Sequence, residues 1–134
     1  MKIEEVEGIG EGIGGTLRSV GIDTTDDLLM AAGSASGRAK VSEQTGISEG
    51  QLLKWANRVD LMRIPGVGSE YSDLLEAAGV DSPKELAQRN AANLAQTFQE
   101  LDAARPNWIR RLPSQETVEE WVAAAKGLEG AVSH

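Results

Sequence analysis

The segment "VEGIGEGIGG", residues 6–15, contains five glycines in ten residues and decides how the chain is interpreted. Its last six residues satisfy the G-x-G-x-x-G pattern of a dinucleotide-binding loop. Such a loop follows a buried strand and needs an acidic residue on a second strand about 20 residues later. The residues before Gly8, "MKIEEVE", include three acids and no strand-like run. The preceding sequence therefore argues against a nucleotide-binding loop.

A second copy of the segment, "IPGVGSEYSD" at residues 64–73, shows which glycines matter. Gly66 and Gly68 match Gly8 and Gly10 at an offset of 58 residues, and none of the three later glycines recurs. The shared element is apolar–x–Gly–apolar–Gly, which is typical of a tight turn between two helices. This comparison excludes the nucleotide loop and leaves a repeated turn.

The repetition extends to a second region of the chain. The text "ISEGQLLKWANR" matches "PSQETVEEWVAA" and aligns Trp55 with Trp121 at an offset of 66 residues. The second copy therefore contains eight more residues than the first, inserted between Leu86 and Pro113.

Length and composition indicate one helical domain. The chain has 134 residues, of which 40% are hydrophobic and 4% aromatic, so Leu, Val, Ile and Ala must build the core. We predict a single domain over residues 1–134. It consists of a first repeat with a Trp helix, 1–62, and a second repeat, 63–134, with an insertion near 104–113.

Apolar residues recur with helical spacing in both copies. One stripe in the second copy consists of Tyr71, Leu74, Leu75 and Ala78. No segment shows the alternation of a half-buried strand. The sequence predicts an all-α fold of about eight or nine short helices, arranged as duplicated units in one compact domain with pseudo-two-fold symmetry.

Capping residues mark the helix boundaries. The quartet Ser82–Glu85 fits a capping box with proline at the first helical position, and Thr24 with Asp27 fits a looser version. Gly21 and Gly79 follow their apolar stripes at the position of a left-handed C-cap.

The text "LMRIPGVGSEYSDLLEAAGV", residues 61–80, resembles a helix-hairpin-helix motif. In that motif two apolar residues three apart precede Gly–apolar–Gly, and a small residue follows four positions later. These places are filled by Leu61, Ile64, Gly66, Val67, Gly68 and Ser72, and in the first copy by Ile3, Val6, Gly8, Ile9, Gly10 and Gly14. The chain further resembles a family of small, uncharacterised bacterial proteins that are built on paired motifs of this kind.

The resemblance implies a role for the two turns. Helix-hairpin-helix motifs bind nucleic acid without reading its sequence, through main-chain N–H groups that face a phosphate. Some also hold a monovalent cation on turn carbonyls. By resemblance the contact residues here are Gly8, Ile9, Gly10, Gly66, Val67 and Gly68. The alternative is that the turns only connect packed helices, since such glycines serve backbone geometry whatever they bind.

The charge of the chain opposes a phosphate partner. The net charge is −8, from 21 acidic and 13 basic residues. Glu11 and Glu70 stand near the second glycine of each turn, where nucleic-acid-binding hairpins usually have Lys or Arg. A carboxylate at a helix N-terminus interacts favourably with the helix dipole and repels an incoming phosphate.

Two groups of basic residues are candidates for a partner or nucleic-acid surface. Arg105, Arg110 and Arg111 surround Trp108 within the insertion, and arginine beside an aromatic residue suits base stacking or a protein contact. The alternative is that Trp108 covers the core while the arginines remain solvated. Lys54 and Arg58, one turn apart on the first Trp helix, could line a basic face, although a solvated helix surface is the commoner meaning.

The sequence offers little for catalysis. It contains no cysteine, and its single histidine is the final residue, His134, so the common nucleophile–base pairs cannot form. No acidic cluster has metal-ligand spacing. The sequence has no run of about 18 apolar residues, which a membrane-spanning helix would need. Its first residues, "MKIEEVEG", lack the basic and then apolar order of a secretory signal. We expect a cytoplasmic protein without enzymatic activity, cofactor, metal or small-molecule substrate.

Two functional hypotheses remain. In the first, the chain mediates protein–protein interaction or assembly, which its acidic charge favours. In the second, the paired hairpins bind a DNA backbone without sequence specificity. From the sequence we favour the protein partner narrowly and keep DNA as the alternative.

Overall fold

The computed structural model describes residues 1–133. Within that range the chain forms eight α-helices and a short 3-10 turn, Ile3–Glu5, with no β-strand. The helices are α1 (Glu11–Arg18), α2 (Thr25–Ala32), α3 (Ala35–Thr45), α4 (Glu49–Leu61), α5 (Ser69–Ala77), α6 (Pro83–Ala87), α7 (Ala91–Ala104) and α8 (Gln115–Lys126). The prediction of an all-α fold is confirmed.

The chain divides into two compact units. Unit 1 comprises Met1–Asp60 together with the residues from Gly130 onward, and unit 2 comprises Leu61–Glu129. In unit 1, α2 packs against α3, and α1 packs against the 3-10 turn. In unit 2, α8 packs against both α6 and α7. Each unit has its own hydrophobic cluster, which contains one buried tryptophan.

The two tryptophans belong to the cores, as the helical stripes predict. Trp55 on α4 is 3% exposed and lies in the cluster of unit 1, with Leu17 and Leu28. Trp121 on α8 is 2% exposed and lies in the cluster of unit 2, which also contains Phe98.

Each unit contains one glycine turn before a helix. In unit 1 the N–H of Ile9 donates to the carbonyl of Val6 at 3.0 Å, and the equivalent bond in unit 2 is also 3.0 Å long. Gly8 has a φ of +91° and Gly66 a φ of +87°, which is the left-handed region that glycine adopts without steric cost. The second glycine of each turn is the N-cap of the following helix.

A tryptophan edge explains why the first glycine of each turn has no side chain. A Cβ atom on Gly8 would lie 3.3 Å from Nε1 of Trp55, and one on Gly66 would lie 3.3 Å from Nε1 of Trp121. These distances are tighter than ordinary van der Waals contact. Both the φ angle and the packing therefore select glycine there.

The helix that follows each turn ends in the same way. After α1 the N–H of Ile22 donates to the carbonyl of Leu17 at 3.0 Å, and the equivalent bond after α5 is 2.9 Å long. Gly21 and Gly79 have φ angles of +87° and +88°. These are the bonds of a Schellman motif, and the predicted left-handed C-caps are confirmed.

The two predicted capping boxes differ from expectation. Thr24 and Asp27 form the full reciprocal box, in which each residue's side chain accepts from the main-chain N–H of the other at 3.1 Å. At α6 only half of the box forms, because the Glu85 carboxylate accepts from Arg89 instead. The hydroxyl of Ser82 still accepts from the N–H of Glu85 at 3.2 Å. The capping box predicted at Ser82 was wrong in this detail.

An ion pair explains a further glycine of the first segment. Arg18 donates to both carboxylate oxygens of Glu4, at 2.6 and 2.9 Å. A Cβ atom on Gly14 would lie 2.5 Å from one of those oxygens, so any side chain at this position would displace the carboxylate from its present place. The hydrogen bonds from the Arg18 guanidinium lower the pKa of Glu4 from 4.5 to about 2.

We expect alanine to have opposite effects at two glycines of the opening segment. Gly8→Ala should lower the free energy of unfolding by about 1–2 kcal/mol, because it forces a left-handed φ on a residue with a Cβ. Gly15→Ala should raise it by about 0.5–1 kcal/mol, because this helical position has no described atom within 4 Å of the added Cβ. Urea unfolding of the two variants measures both values. Equal changes in the free energy of unfolding would contradict the different backbone roles given to Gly8 and Gly15.

We also expect the Glu4–Arg18 pair to contribute to acid sensitivity. Folding lowers the pKa of Glu4 from 4.5 to about 2. The pair therefore stabilises the fold fully when the pH is above 4.5, and this contribution is lost as the pH falls towards 2. In Arg18→Gln the free energy of unfolding should therefore fall less than in the native protein between about pH 5 and pH 2. Denaturant titrations across this range provide the measurement. Lys40→Gln, at an exposed lysine, is the control and should keep the native pH dependence.

Candidate functional site

A depression lies beside each glycine turn, and each contains basic side chains predicted from the sequence. We call them the first and second turn pockets. The first is lined by Glu7, Gly8, Ile13, Ile47, Ser48, Gln51, Lys54, Trp55 and Arg58. The second is lined by Gly66, Gly68, Ser69, Glu70, Tyr71, Arg110 and Arg111. The structure thus brings together residues that were separate candidates in the sequence.

The insertion of the second copy folds onto the second turn pocket. The main-chain N–H of Arg110 donates to the Glu70 carboxylate at 3.1 Å. The hydroxyl of Tyr71 donates to the carbonyl of Arg111 at 2.7 Å. Both arginine side chains are exposed. Two hydrogen bonds from the first turn of α5 therefore hold the insertion beside the glycines.

The start of α5 lines this pocket with Gly68, Ser69, Glu70 and Tyr71. Gly68 is the N-cap of α5, and no side chain caps it. The first N–H groups of a helix have no intrahelical acceptor, and they carry the positive end of the helix dipole. Glu70, whose carboxylate we expected to repel an anion here, is hydrogen-bonded to the main chain of Arg110. The pocket therefore places the N-terminal end of a helix beside two arginines, Arg110 and Arg111.

Trp108 and Arg105 form a stacked pair in the same insertion. Trp108 is half-buried and packs against the hydrophobic cluster of unit 2. The guanidinium carbon of Arg105 lies 4.3 Å from the centre of its ring. Ile109, 5% exposed, anchors the insertion in the core. Trp108 thus covers the core, which was one of the two alternatives from the sequence, and its ring stacks on an arginine of the same chain. The partner surface that was the other alternative stays a prediction.

The first turn pocket is arranged differently. Arg58 is 8% exposed, and its guanidinium donates to the carbonyl of Glu7 at 2.7 Å, which fixes the residue before Gly8. A solvated helix surface is the commoner explanation for two basic residues one turn apart, but Arg58 does not lie on such a surface. Lys54, one turn earlier on α4, is exposed at the pocket.

Tyr71 has a role that the sequence pattern did not reveal. Its spacing predicted a core residue, and its ring does contact Trp121, with 5.2 Å between ring centres. Its hydroxyl nevertheless reaches the insertion. Because a partly buried tyrosine hydroxyl usually finds a hydrogen-bond partner, the residue type was the available signal.

A metal site and a membrane span are two further features that residues 1–133 could contain. Among those residues no group of three or more acidic or histidine side chains could hold a metal ion. His134, the single histidine, lies outside the described residues. Between residues 1 and 133 no helix combines the length and the apolar character that a bilayer crossing requires.

Comparison with known proteins adds one finding. Residues 7–128 match the family model described as "Domain of unknown function (DUF4332)". No curated protein and no solved structure matches the chain.

We expect Tyr71→Phe to loosen the insertion without disturbing the core. The change removes the bond to Arg111 and keeps the ring that contacts Trp121. Loss of a hydrogen bond worth about 0.5–1.5 kcal/mol should raise the population of molecules with a detached insertion by roughly two- to tenfold. Trypsin cleavage after Arg110 and Arg111 should accelerate by that factor, while cleavage after Lys40 in the same sample should not. An unchanged rate at the two arginines would contradict the role of Tyr71.

Proposed function

The chain belongs to the DUF4332 family, and we propose that it is a non-enzymatic module that binds the phosphate backbone of a nucleic acid at its two glycine turns. One observation carries the proposal: exposed basic residues line both turn pockets beside the glycines, Lys54 in the first and Arg110 with Arg111 in the second. Arg58 also lines the first pocket, but it is buried and holds the carbonyl of Glu7.

We further propose that the two units are copies of one helix-hairpin-helix design. Local geometry that the two units share supports this proposal: the same main-chain hydrogen bond across the turn, similar positive φ angles and the same contact between glycine and tryptophan. The pseudo-two-fold relation expected between them stays a prediction, as do the repeat boundaries at 62 and 63 and the cytoplasmic location.

The chemistry of the second turn pocket suits a phosphate group. Helix N–H groups and guanidinium groups are the donors that phosphate oxygens prefer, and arginine can engage two oxygens at once. The glycines permit a ligand to approach the main chain closely. Because contacts to the backbone carry no base information, binding of this kind is independent of sequence.

The net charge of −8 weakens such binding without removing it. Several acids near the turns are already engaged within their own unit: Glu4 by Arg18, Glu5 by the N–H of Lys2, and Glu70 by the insertion. These contacts leave the net charge of the chain unchanged, and its negative sign repels a polyanion at long range. We therefore expect weak affinity that depends steeply on salt.

A second candidate is the protein partner that the sequence favoured. The stacked Arg105–Trp108 pair supports it, because tryptophan and arginine are enriched at the energetic centres of protein interfaces. Neither residue lines the second turn pocket, so substitutions can separate the two hypotheses.

We expect the protein to bind a fluorescent DNA duplex and a single strand at about 50 mM salt, with affinity falling steeply as salt rises. The double variant R110E/R111E should weaken binding and reduce the slope of log affinity against log salt by about 1 per lost phosphate contact. Fluorescence anisotropy measures both quantities.

The matched control is K84E/K126E, which makes the same change in net charge at exposed lysines of unit 2 outside the pocket. Equal losses in the two double variants would show only a net-charge effect and would contradict a site at the turn. No binding of either DNA at low salt would reject the nucleic-acid proposal. A partner captured by the native chain and lost in Trp108→Ala would then favour the protein-binding alternative.

A further inference from the structure

The three arginines of the insertion differ from the other arginines of the chain. The others each donate to a carboxylate or a main-chain carbonyl of their own unit: Arg18, Arg38, Arg58, Arg63 and Arg89. Among residues 1–133, no group accepts a hydrogen bond or forms an ion pair with the side chains of Arg105, Arg110 and Arg111. All three are exposed, although the chain has 21 acidic residues. Their guanidinium groups are therefore available to a ligand.

A tight turn brings Arg105 onto the ring of Trp108. The N–H of Trp108 donates to the carbonyl of Arg105 at 3.2 Å, and Asn107 between them has a φ of +68°. Proline at the second position and asparagine with a positive φ at the third are typical of a type II turn. The guanidinium carbon of Arg105 lies 4.3 Å from the ring centre. The sequence "RPNW" thus builds a stacked guanidinium and indole on the surface of unit 2.

The chain after Trp108 is anchored through its main chain. Ile109 is buried, the N–H of Arg110 donates to the Glu70 carboxylate, and the carbonyl of Arg111 accepts from a tyrosine hydroxyl. Neither contact uses a guanidinium group. Because Trp108 and Arg111 are three residues apart, their Cα atoms lie within about 11 Å of each other. The stacked pair and the two arginines of the second turn pocket are therefore neighbours on one fixed segment.

We propose that the insertion makes this region a site for single-stranded nucleic acid. An unpaired base stacks on the Arg105–Trp108 pair, and phosphates of the same strand bind Arg110 and Arg111. Aromatic rings and guanidinium planes are the groups on which proteins stack unpaired bases, and arginine suits phosphate oxygens. The inference rests on the nucleic-acid function proposed above and specifies the kind of strand.

A duplex does not fit the stacked pair. In a duplex the faces of the bases are covered by the neighbouring base pairs, and only their edges are accessible in the grooves. A single strand exposes the faces. Every base has such a face, so binding remains independent of sequence. Stacking does not depend on net charge, and it therefore offsets part of the long-range repulsion from a chain of charge −8.

The stacked pair also suits the protein-binding alternative. The two further guanidinium groups beside it favour a nucleic acid. A strand has a phosphate next to every base, whereas a protein partner would need an exposed aromatic or apolar residue flanked by two acids at matching positions.

Two fluorescent strands separate stacking from phosphate binding. One is a thymidine strand of about 10 nucleotides, and the other is an abasic strand of the same length, which has the same phosphates and no bases. At low salt the native protein should bind the thymidine strand about five- to a hundredfold more tightly, which is the range for one stacked base. It should also prefer the thymidine strand to the duplex formed with its complement. Fluorescence anisotropy measures each affinity.

Two substitutions at Trp108 test the stacked pair. Trp108→Leu keeps an apolar contact with the core and should lower the ratio of the two affinities to about one. Trp108→Phe keeps an aromatic ring and should retain most of the preference. The double variant R110E/R111E should weaken binding of both strands, because it acts on phosphates that both contain. A helical circular dichroism spectrum checks that each variant is folded.

Tryptophan emission tests the contact without any substitution. Trp55 and Trp121 are 3% and 2% exposed, so Trp108 is the tryptophan that a base can reach. The thymidine strand should quench the emission of the native protein, and the abasic strand should not. This measurement decides the question if Trp108→Leu fails to fold.

Equal affinities of the native protein for the two strands would overturn this inference and leave the proposed backbone binding intact. An unchanged ratio in folded Trp108→Leu, no quenching by the thymidine strand, or tighter binding of the duplex would also overturn it. Binding of neither strand nor the duplex would reject the backbone proposal as well. A protein captured by the native chain and lost in Trp108→Leu would then assign the pair to a protein interface.

Discussion

The fold depends on a contact between a tryptophan edge and a glycine that has a positive φ angle. Trp55 meets Gly8 in unit 1, and Trp121 meets Gly66 in unit 2, with the same separation of 3.3 Å from a hypothetical Cβ. A tryptophan supplies a large apolar area to a small core, and it packs this close to the main chain only where no side chain intervenes. The contact fixes the conformation of the turn, and the turn sets the direction in which the next helix begins. The position of the candidate anion donors follows from it.

Buried charges that bind main chain are the second constraint. Arg58 donates to the residue before the first turn. Arg38 donates to the end of α2 and to the carbonyl of Ser133, and Asp60 accepts from the N–H of Ala131. Each charge joins parts of the chain that are far apart in sequence. Burying them is costly unless their hydrogen bonds form, so they hold particular loops in place rather than adding general stability.

The second turn pocket forms where the insertion contacts the first turn of α5. The insertion carries Arg110 and Arg111, and the first turn of α5 holds it through Glu70 and Tyr71. Unit 1 lacks this insertion, and its turn pocket has α4 residues in place of the two arginines. The two glycine turns thus lie beside different basic residues, although Gly8 and Gly66 have nearly the same φ angle.

The sequence by itself determined the all-α class, the starts of α2 and α6 and the C-cap glycines that need a left-handed backbone, because these features depend on neighbours within a few residues. It also placed Trp55 and Trp121 in the cores, since helical spacing puts them on apolar stripes. It did not determine that Arg58 is buried or that the insertion reaches the second turn, because these contacts join residues 40 to 51 positions apart. Only the tertiary structure decides such contacts, since identical charges are solvated or buried according to what packs over them.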